Sequence, residues 1–156
     1  MVKPLVVAQS RVVEVPPEKA FRETMQLPLP ELFSHWYGPI PPIKEVRDQT
    51  GDWDAPGRSR RLIMPGGSVR EELNSVDPPR SFGYRLTDIT GPMALLIGSV
   101  TGVWNFDQVG DGTEITWRWT IYPKSRLAGP ALPVFGMVWK GYARRALKYL
   151  SERLAR

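Results

Sequence analysis

Near residue 132 the sequence changes period, and that change limits the fold more than any other feature. Upstream, short stretches of alternating apolar and polar residues are separated by turn signals. Downstream, Trp139, Ala143, Ala146, Leu150 and Leu154 recur every three or four residues, with Lys140, Arg144, Lys148 and Glu152 on an offset stripe. This is the pattern of one amphipathic helix that starts near Leu132 or Pro133 and runs almost to the end. One long helix and one sheet can bury their apolar faces only against each other.

The upstream strands are closely spaced. Leu5 to Val15 is β-rich and closed by Pro16-Pro17. Glu18 to Met25 predicts a short helix with Pro17 in its first turn, and Leu29 to Ser34 a second. After Pro39, Pro41 and Pro42, strands are predicted over Ile43–Gln49, Arg58–Met64, Ser68–Val76, Ser81–Asp88, Ser99–Val109 and Thr113–Tyr122. Pro65-Gly66-Gly67 and Gly110-Asp111-Gly112 mark hairpins. An apolar stretch, Met93 to Ile97, precedes the strand from Ser99. Short connections make these neighbours antiparallel. The fold class is therefore α+β: a curved antiparallel sheet of six to seven strands wrapped around the last helix, in one domain over residues 1–156.

Composition narrows the function. Apolar residues make up 42% of the chain and charged residues 24%, which fits a globular domain with a buried core. The 16 prolines sit at junctions between elements rather than in one tract. Cysteine is absent, which removes disulfides, thiolate metal sites and cysteine nucleophiles, and suits a cytoplasmic setting. The apolar stretch at the N-terminus is too short for a signal peptide, and no run reaches the ~20 residues that span a bilayer. The net charge of +5 sits entirely in the last segment, where Lys140, Arg144, Arg145, Lys148, Arg153 and Arg156 face only Glu152. Its plain reading is a solvated helix face with cations near the C-terminal dipole. Its sharper reading is attraction to an anionic membrane surface or to RNA.

Strand alternation assigns the inner face. It carries Ile115, Trp117, Trp119 and Ile121 on the last strand, and Val100, Gly102, Trp104 and Phe106 on the one before. Phe82, Tyr84 and Leu86 follow on the next. Such stripes are often plain core. Gly102 on the wall and Gly136, Gly141, Ala143 and Ala146 on the helix are small enough to leave a pocket, and buried tryptophan and tyrosine want polar partners. Trp36 and Trp139 complete the expected aromatic contacts. Arg60 and Glu71 lie on strands joined by the Pro65–Gly67 hairpin, with Glu71 sharing parity with Val69 and Leu73. They read either as a cross-strand ion pair or as a polar anchor and acid/base group for a ligand.

No motif specifies catalysis. His35, the single histidine, cannot build an ordinary zinc site without cysteine, and no Gly-x-Ser-x-Gly elbow accompanies it. The glycine pairs match no phosphate-binding loop. No cofactor, metal or catalytic residue is expected from these residues.

Several segments resemble a known family. Val12-Val-Glu-Val-Pro-Pro-Glu-Lys-Ala-Phe21 and Leu32-Phe-Ser-His-Trp36 with its proline-rich exit are similar to the opening of the SRPBCC superfamily, also called START-like or helix-grip proteins. Pro56-Gly57 with Arg60, then Gly66-Gly67 and Glu71, resemble its polyketide cyclase/dehydrase branch. Gly112-Thr-Glu-Ile-Thr-Trp117 and the long last helix resemble its end. The resemblance implies a helix-grip fold around a deep apolar cavity that takes lipids, polyketides, sterols or similar molecules.

Three functions follow as expectations. The first is binding of a small hydrophobic ligand between sheet and last helix, with Trp36, Arg60, Glu71, Phe82, Tyr84, Trp104, Phe106, Trp117, Trp119 and Trp139 as its contacts. The second is a cyclase or dehydratase that uses Glu71, Tyr84 or His35. The third is a surface role for the basic helix, with weak membrane contact. The lack of aromatics interleaved with its cations argues against nucleic acid.

Overall fold

The computed structural model describes residues 3–156. In chain order it contains β1 (Leu5–Val13), α1 (Pro17–Gln26), α2 (Leu29–Leu32), β2 (Glu45–Arg47), β3 (Ser59–Met64), β4 (Gly67–Asp77) and β5 (Ser81–Thr87). A 3-10 turn at Pro92–Leu95 leads into β6 (Ile97–Val109) and β7 (Gly112–Pro123). A second 3-10 turn, Gly129–Ala131, leads into α3 (Leu132–Leu154). The seven strands form one sheet in the order β1-β7-β6-β5-β4-β3-β2, antiparallel throughout.

That order positions everything else. β1 is one edge of the sheet and β2 the other, so residues 14–44 must cross its concave face. They cross as α1 and α2, each opened by a proline in its first turn, where the missing N–H costs no helical bond. α3 lies on the β1 side. A Cβ added to Gly136 would come within 2.8 Å of Leu5 and 3.2 Å of Val7, so the glycine lets helix and strand touch. Arg11 on β1 donates from Nε to Ser151 Oγ at 3.0 Å near the other end of the helix.

The strand parity expected from the sequence holds. Val69, Glu71 and Leu73 on β4, Phe82, Tyr84 and Leu86 on β5, Val100, Trp104 and Phe106 on β6, and Ile115, Trp117 and Ile121 on β7 are all buried. Arg118, on the opposite face from Trp117, is exposed.

Several boundaries differ. The strand expected over Ile43–Gln49 shortens to Glu45–Arg47, because Asp48 (φ 55°) and Gly51 (φ 75°) turn the backbone left-handed. α2 is a single turn that ends before Ser34. The Met93–Ile97 stretch is mostly the 3-10 turn after Pro92, and only Ile97 enters β6.

The stripe of small residues does not open space as expected. A Cβ on Gly102 would fall within the Tyr84 ring, and one on Gly141 would collide with the Tyr37 hydroxyl. Both glycines are already filled by a neighbouring aromatic.

Candidate functional site

The hollow of the molecule lies between the sheet and the α1–α2 crossing, rather than simply between sheet and last helix. Its interior measures about 120 Å³, and its whole extent, open mouth included, about 1000 Å³. One wall is the inner face of β3 to β7. The other comes from α1, α2 and the Phe33–Ile43 segment, while α3 contributes only Phe135 and Tyr142.

Arg60, Glu71, Phe82, Tyr84, Trp104, Trp117 and Trp119 line this hollow. The tryptophans pack as a connected layer. Trp104 stacks on Trp117 with centroids 4.8 Å apart and planes within 10°, and Trp119 meets Trp117 edge-on at 5.9 Å. Tyr84 sits directly across the β5–β6 ladder from Gly102 and leans over it. Its hydroxyl oxygen accepts hydrogen bonds from Trp117 Nε1 at 2.9 Å and Trp119 Nε1 at 2.8 Å. Burial raises the Tyr84 pKa well above its ordinary value, and the nearby Glu71 charge adds to this.

The polar end of the hollow is an ion pair. Arg60 and Glu71 face each other across the β3–β4 ladder. Arg60 donates from Nε to Glu71 Oε1 at 2.7 Å, with the side chains only 11% and 7% exposed. The Arg60 guanidinium also lies 3.7 Å from the centre of the Trp53 ring, a cation–π contact. Burial pushes the Glu71 carboxyl above its ordinary pKa, outweighing the opposing pull of Arg60. The pair is thus both a ladder contact and part of the cavity wall.

Three expected contacts lie elsewhere. Trp36 is 55% exposed: the Tyr37–Ile40 bridge turns this segment outward, and the Trp36 carbonyl accepts from Arg145 Nη1 at 3.3 Å. Phe106 is buried beyond the end of the hollow, packed edge-on against Phe21 at 5.5 Å. Trp139 is fully buried behind the wall, 5.1 Å from Trp117 and 5.6 Å from Trp119, where it supports the tryptophan layer from the helix side. His35 is also outside, exposed and hydrogen-bonded through Nδ1 to Ser34 Oγ at 2.8 Å.

Of the lining residues outside the expected contacts, four bear most on the site. Trp53 sits in the β2–β3 loop yet is buried, held to α1 by Gln26 Nε2 donating to the Trp53 carbonyl at 2.9 Å. It lies in the polar segment Thr50–Asp54, where no periodic pattern reports burial. Phe33 and Tyr142 stack at 5.4 Å across the hollow's helix side. Tyr142 lies three residues after Trp139 on the same helix stripe, which was legible. Thr24 on α1 has a buried Oγ1 without a partner among the described residues, and only the tertiary structure reveals it.

On the outer face of α3, Lys140, Arg144 and Lys148 are exposed, and no carboxylate among the described residues pairs with them. Arg153 belongs to a different network: its Nε and the Tyr149 hydroxyl both donate to Glu31 Oε2, at 2.9 and 2.6 Å. No group of three His, Asp or Glu among the described residues is arranged to hold a metal. No helix among the described residues is long and apolar enough to cross a membrane.

Solved structures of the same architecture exist at low sequence identity. The crystal structure of Ara h 8.0201 matches over 97% of this chain and 98% of its own, at 16% identity and a TM-score of 0.67. TTHA0849 from Thermus thermophilus matches over 97% of both chains, at 18% identity and 0.70. Norcoclaurine synthase from Thalictrum flavum, solved with dopamine and hydroxybenzaldehyde, matches over 99% of this chain and 88% of its own, at 14% identity and 0.73. These likenesses establish the helix-grip fold. No curated protein sequence matches the chain significantly. The family described as polyketide cyclase / dehydrase and lipid transport matches residues 4–156. With that match covering nearly its whole length, the chain belongs to the polyketide cyclase/dehydrase and lipid transport family, within the SRPBCC helix-grip proteins.

Proposed function

We propose that the protein binds a small, mostly apolar molecule in the hollow between its sheet and the α1–α2 crossing. The observation that carries this reading is the wall itself: aromatic and aliphatic side chains from strands, helices and loops converge on space they do not fill. Family membership supports it, and so does the fold shared with an enzyme solved around two small aromatic molecules. An interior of about 120 Å³ is close to a cavity that takes a benzene-sized guest. Burying roughly 200 Å² of apolar ligand surface is worth about 5 kcal/mol gross, and association costs remove part of it. The affinity is then modest unless polar contacts add to it.

Native mass spectrometry of the purified protein tests the reading. The expected result is a co-purified small molecule that leaves on denaturation, or chemical-shift changes at cavity residues when indane is titrated into ligand-free protein. A ligand-free protein whose cavity resonances ignore indane refutes it.

One observation favours a second, enzymatic reading. Glu71 is a buried carboxylate with a raised pKa, and it faces the same hollow as the Tyr84 hydroxyl. Such a group can take a proton from the carbon beside a carbonyl, while a hydroxyl donor holds the resulting enolate oxygen. Faster deuterium exchange at C2 of 1-indanone, lost in Glu71→Gln, supports it. Exchange at the buffer rate excludes it for this class of ketone.

A further inference from the structure

The Tyr84 hydroxyl is hydrogen-bonded in an unusual way. It receives two N–H donors, from Trp117 and Trp119, at 2.9 and 2.8 Å. A phenol oxygen so engaged has little accepting capacity left, but its own proton is uncommitted. Among the described residues no acceptor lies within hydrogen-bond reach of it. The nearby Glu71 carboxylate accepts from Arg60 Nε. Tyr84 is 5% exposed, and the face it presents belongs to the hollow.

The geometry also fixes the position of the hydroxyl oxygen. The ring is confined against Gly102, where no side chain larger than hydrogen would fit beneath it. The two indoles come from alternate inward positions of β7, themselves locked by Trp104 and Trp139. Accepting two hydrogen bonds also polarises the O–H, which makes it a stronger donor.

We infer that Tyr84 is a specificity-determining donor: it selects apolar ligands that carry an acceptor oxygen, such as a ketone or aldehyde carbonyl, over hydrocarbons of the same shape. The inference rests on the cavity reading above and names the ligand chemistry of that site. Glu71 and the buried Tyr142 also line the hollow, but neither is hydrogen-bonded to Tyr84, so an acceptor placed there completes the hydroxyl, whereas a hydrocarbon leaves a buried donor unpaired. Discrimination therefore comes from the unpaired proton and not from shape.

The test uses two probes of one skeleton, 1-indanone and indane, titrated by NMR. Tyr84→Phe is expected to weaken 1-indanone by about three- to tenfold and to leave indane within about twofold. Because Tyr84→Phe strands two indole N–H groups and can unfold the protein, a second variant keeps every bond. Site-specific replacement of Tyr84 by 3-fluorotyrosine makes the phenol a stronger donor, and should tighten 1-indanone without affecting indane. An affinity ratio that neither variant changes overturns the inference while leaving the cavity reading intact. Failure of both probes to bind the unmodified protein removes the cavity reading, and this inference with it.

Discussion

Gly102→Ala is the most informative single change in this molecule. Tyr84 faces Gly102 across the β5–β6 ladder and its ring occupies the space a Cβ would need. Glycine inside a strand marks such close approaches. An added methyl must push the ring aside, and the ring carries the hydroxyl that Trp117 and Trp119 share. Overpacking costs about 1–3 kcal/mol. Losing two hydrogen bonds costs about 0.5–1.5 kcal/mol each. The sum is about 2–6 kcal/mol, against a typical domain stability of about 5–15 kcal/mol. For a chain of this length each kcal/mol moves the melting temperature by about 2–4 °C, so Gly102→Ala should melt roughly 4–24 °C lower. Circular dichroism and tryptophan fluorescence melts measure it. A double-mutant cycle identifies the cause: in a Tyr84→Ala background the ring is gone, and Gly102→Ala should cost almost nothing. The reasoning fails if Gly102→Ala melts within about 2 °C of the parent, or if its cost is unchanged without Tyr84.

The buried pair makes a contrasting prediction: Glu71→Ala or Arg60→Ala alone should destabilise by about 3–5 kcal/mol, but Arg60→Met with Glu71→Leu should be near neutral or stabilising, as chemical denaturation can show. Val69→Phe should fill the hollow from β4 and weaken indane binding by about tenfold or more in NMR titration, and undiminished binding would place the ligand elsewhere. Hydrogen bonds from Tyr149 and Arg153 hold the Glu31 carboxyl below its ordinary pKa. Its stabilising effect is therefore present above the ordinary carboxylate range and lost as pH falls through the depressed value. Glu31→Gln should narrow the gap between melts at roughly pH 7 and roughly pH 3, and an unchanged gap refutes the assignment. Replacing Lys140, Arg144 and Lys148 together by alanine should alter stability by no more than about 0.5 kcal/mol per site, since none is paired; a large drop in melting temperature would expose a structural role.

The wall of the candidate site was largely legible, because side-chain direction along a strand is a local property. Period-two alternation alone placed Glu71, Tyr84, Trp117 and Trp119 inward and Arg118 outward. Arg60 opposite Glu71 followed from the hairpin between them. Loop residues gave no such handle. Trp36 and Trp53 are the same residue type in irregular segments, yet one is exposed and the other buried under Arg60. Their difference depends on a turn at Tyr37–Ile40 and on a hydrogen bond from α1, neither of which is encoded near the residue itself.

By itself, then, the sequence determined the α+β class, the antiparallel order of the hairpins, the long final helix and the identity of the inner face, all of which depend on backbone periods spanning a few residues. Only the tertiary structure decided where space remains. Free volume is the difference between what distant elements enclose and what their side chains fill, so no local pattern reports it. The small residues that promised a pocket, Gly102, Gly136 and Gly141, are filled by Tyr84, by Leu5 with Val7, and by Tyr37. The hollow opens instead beneath α1 and α2, because β1 and β2 are opposite edges of the sheet and the chain between them has to cross its concave face.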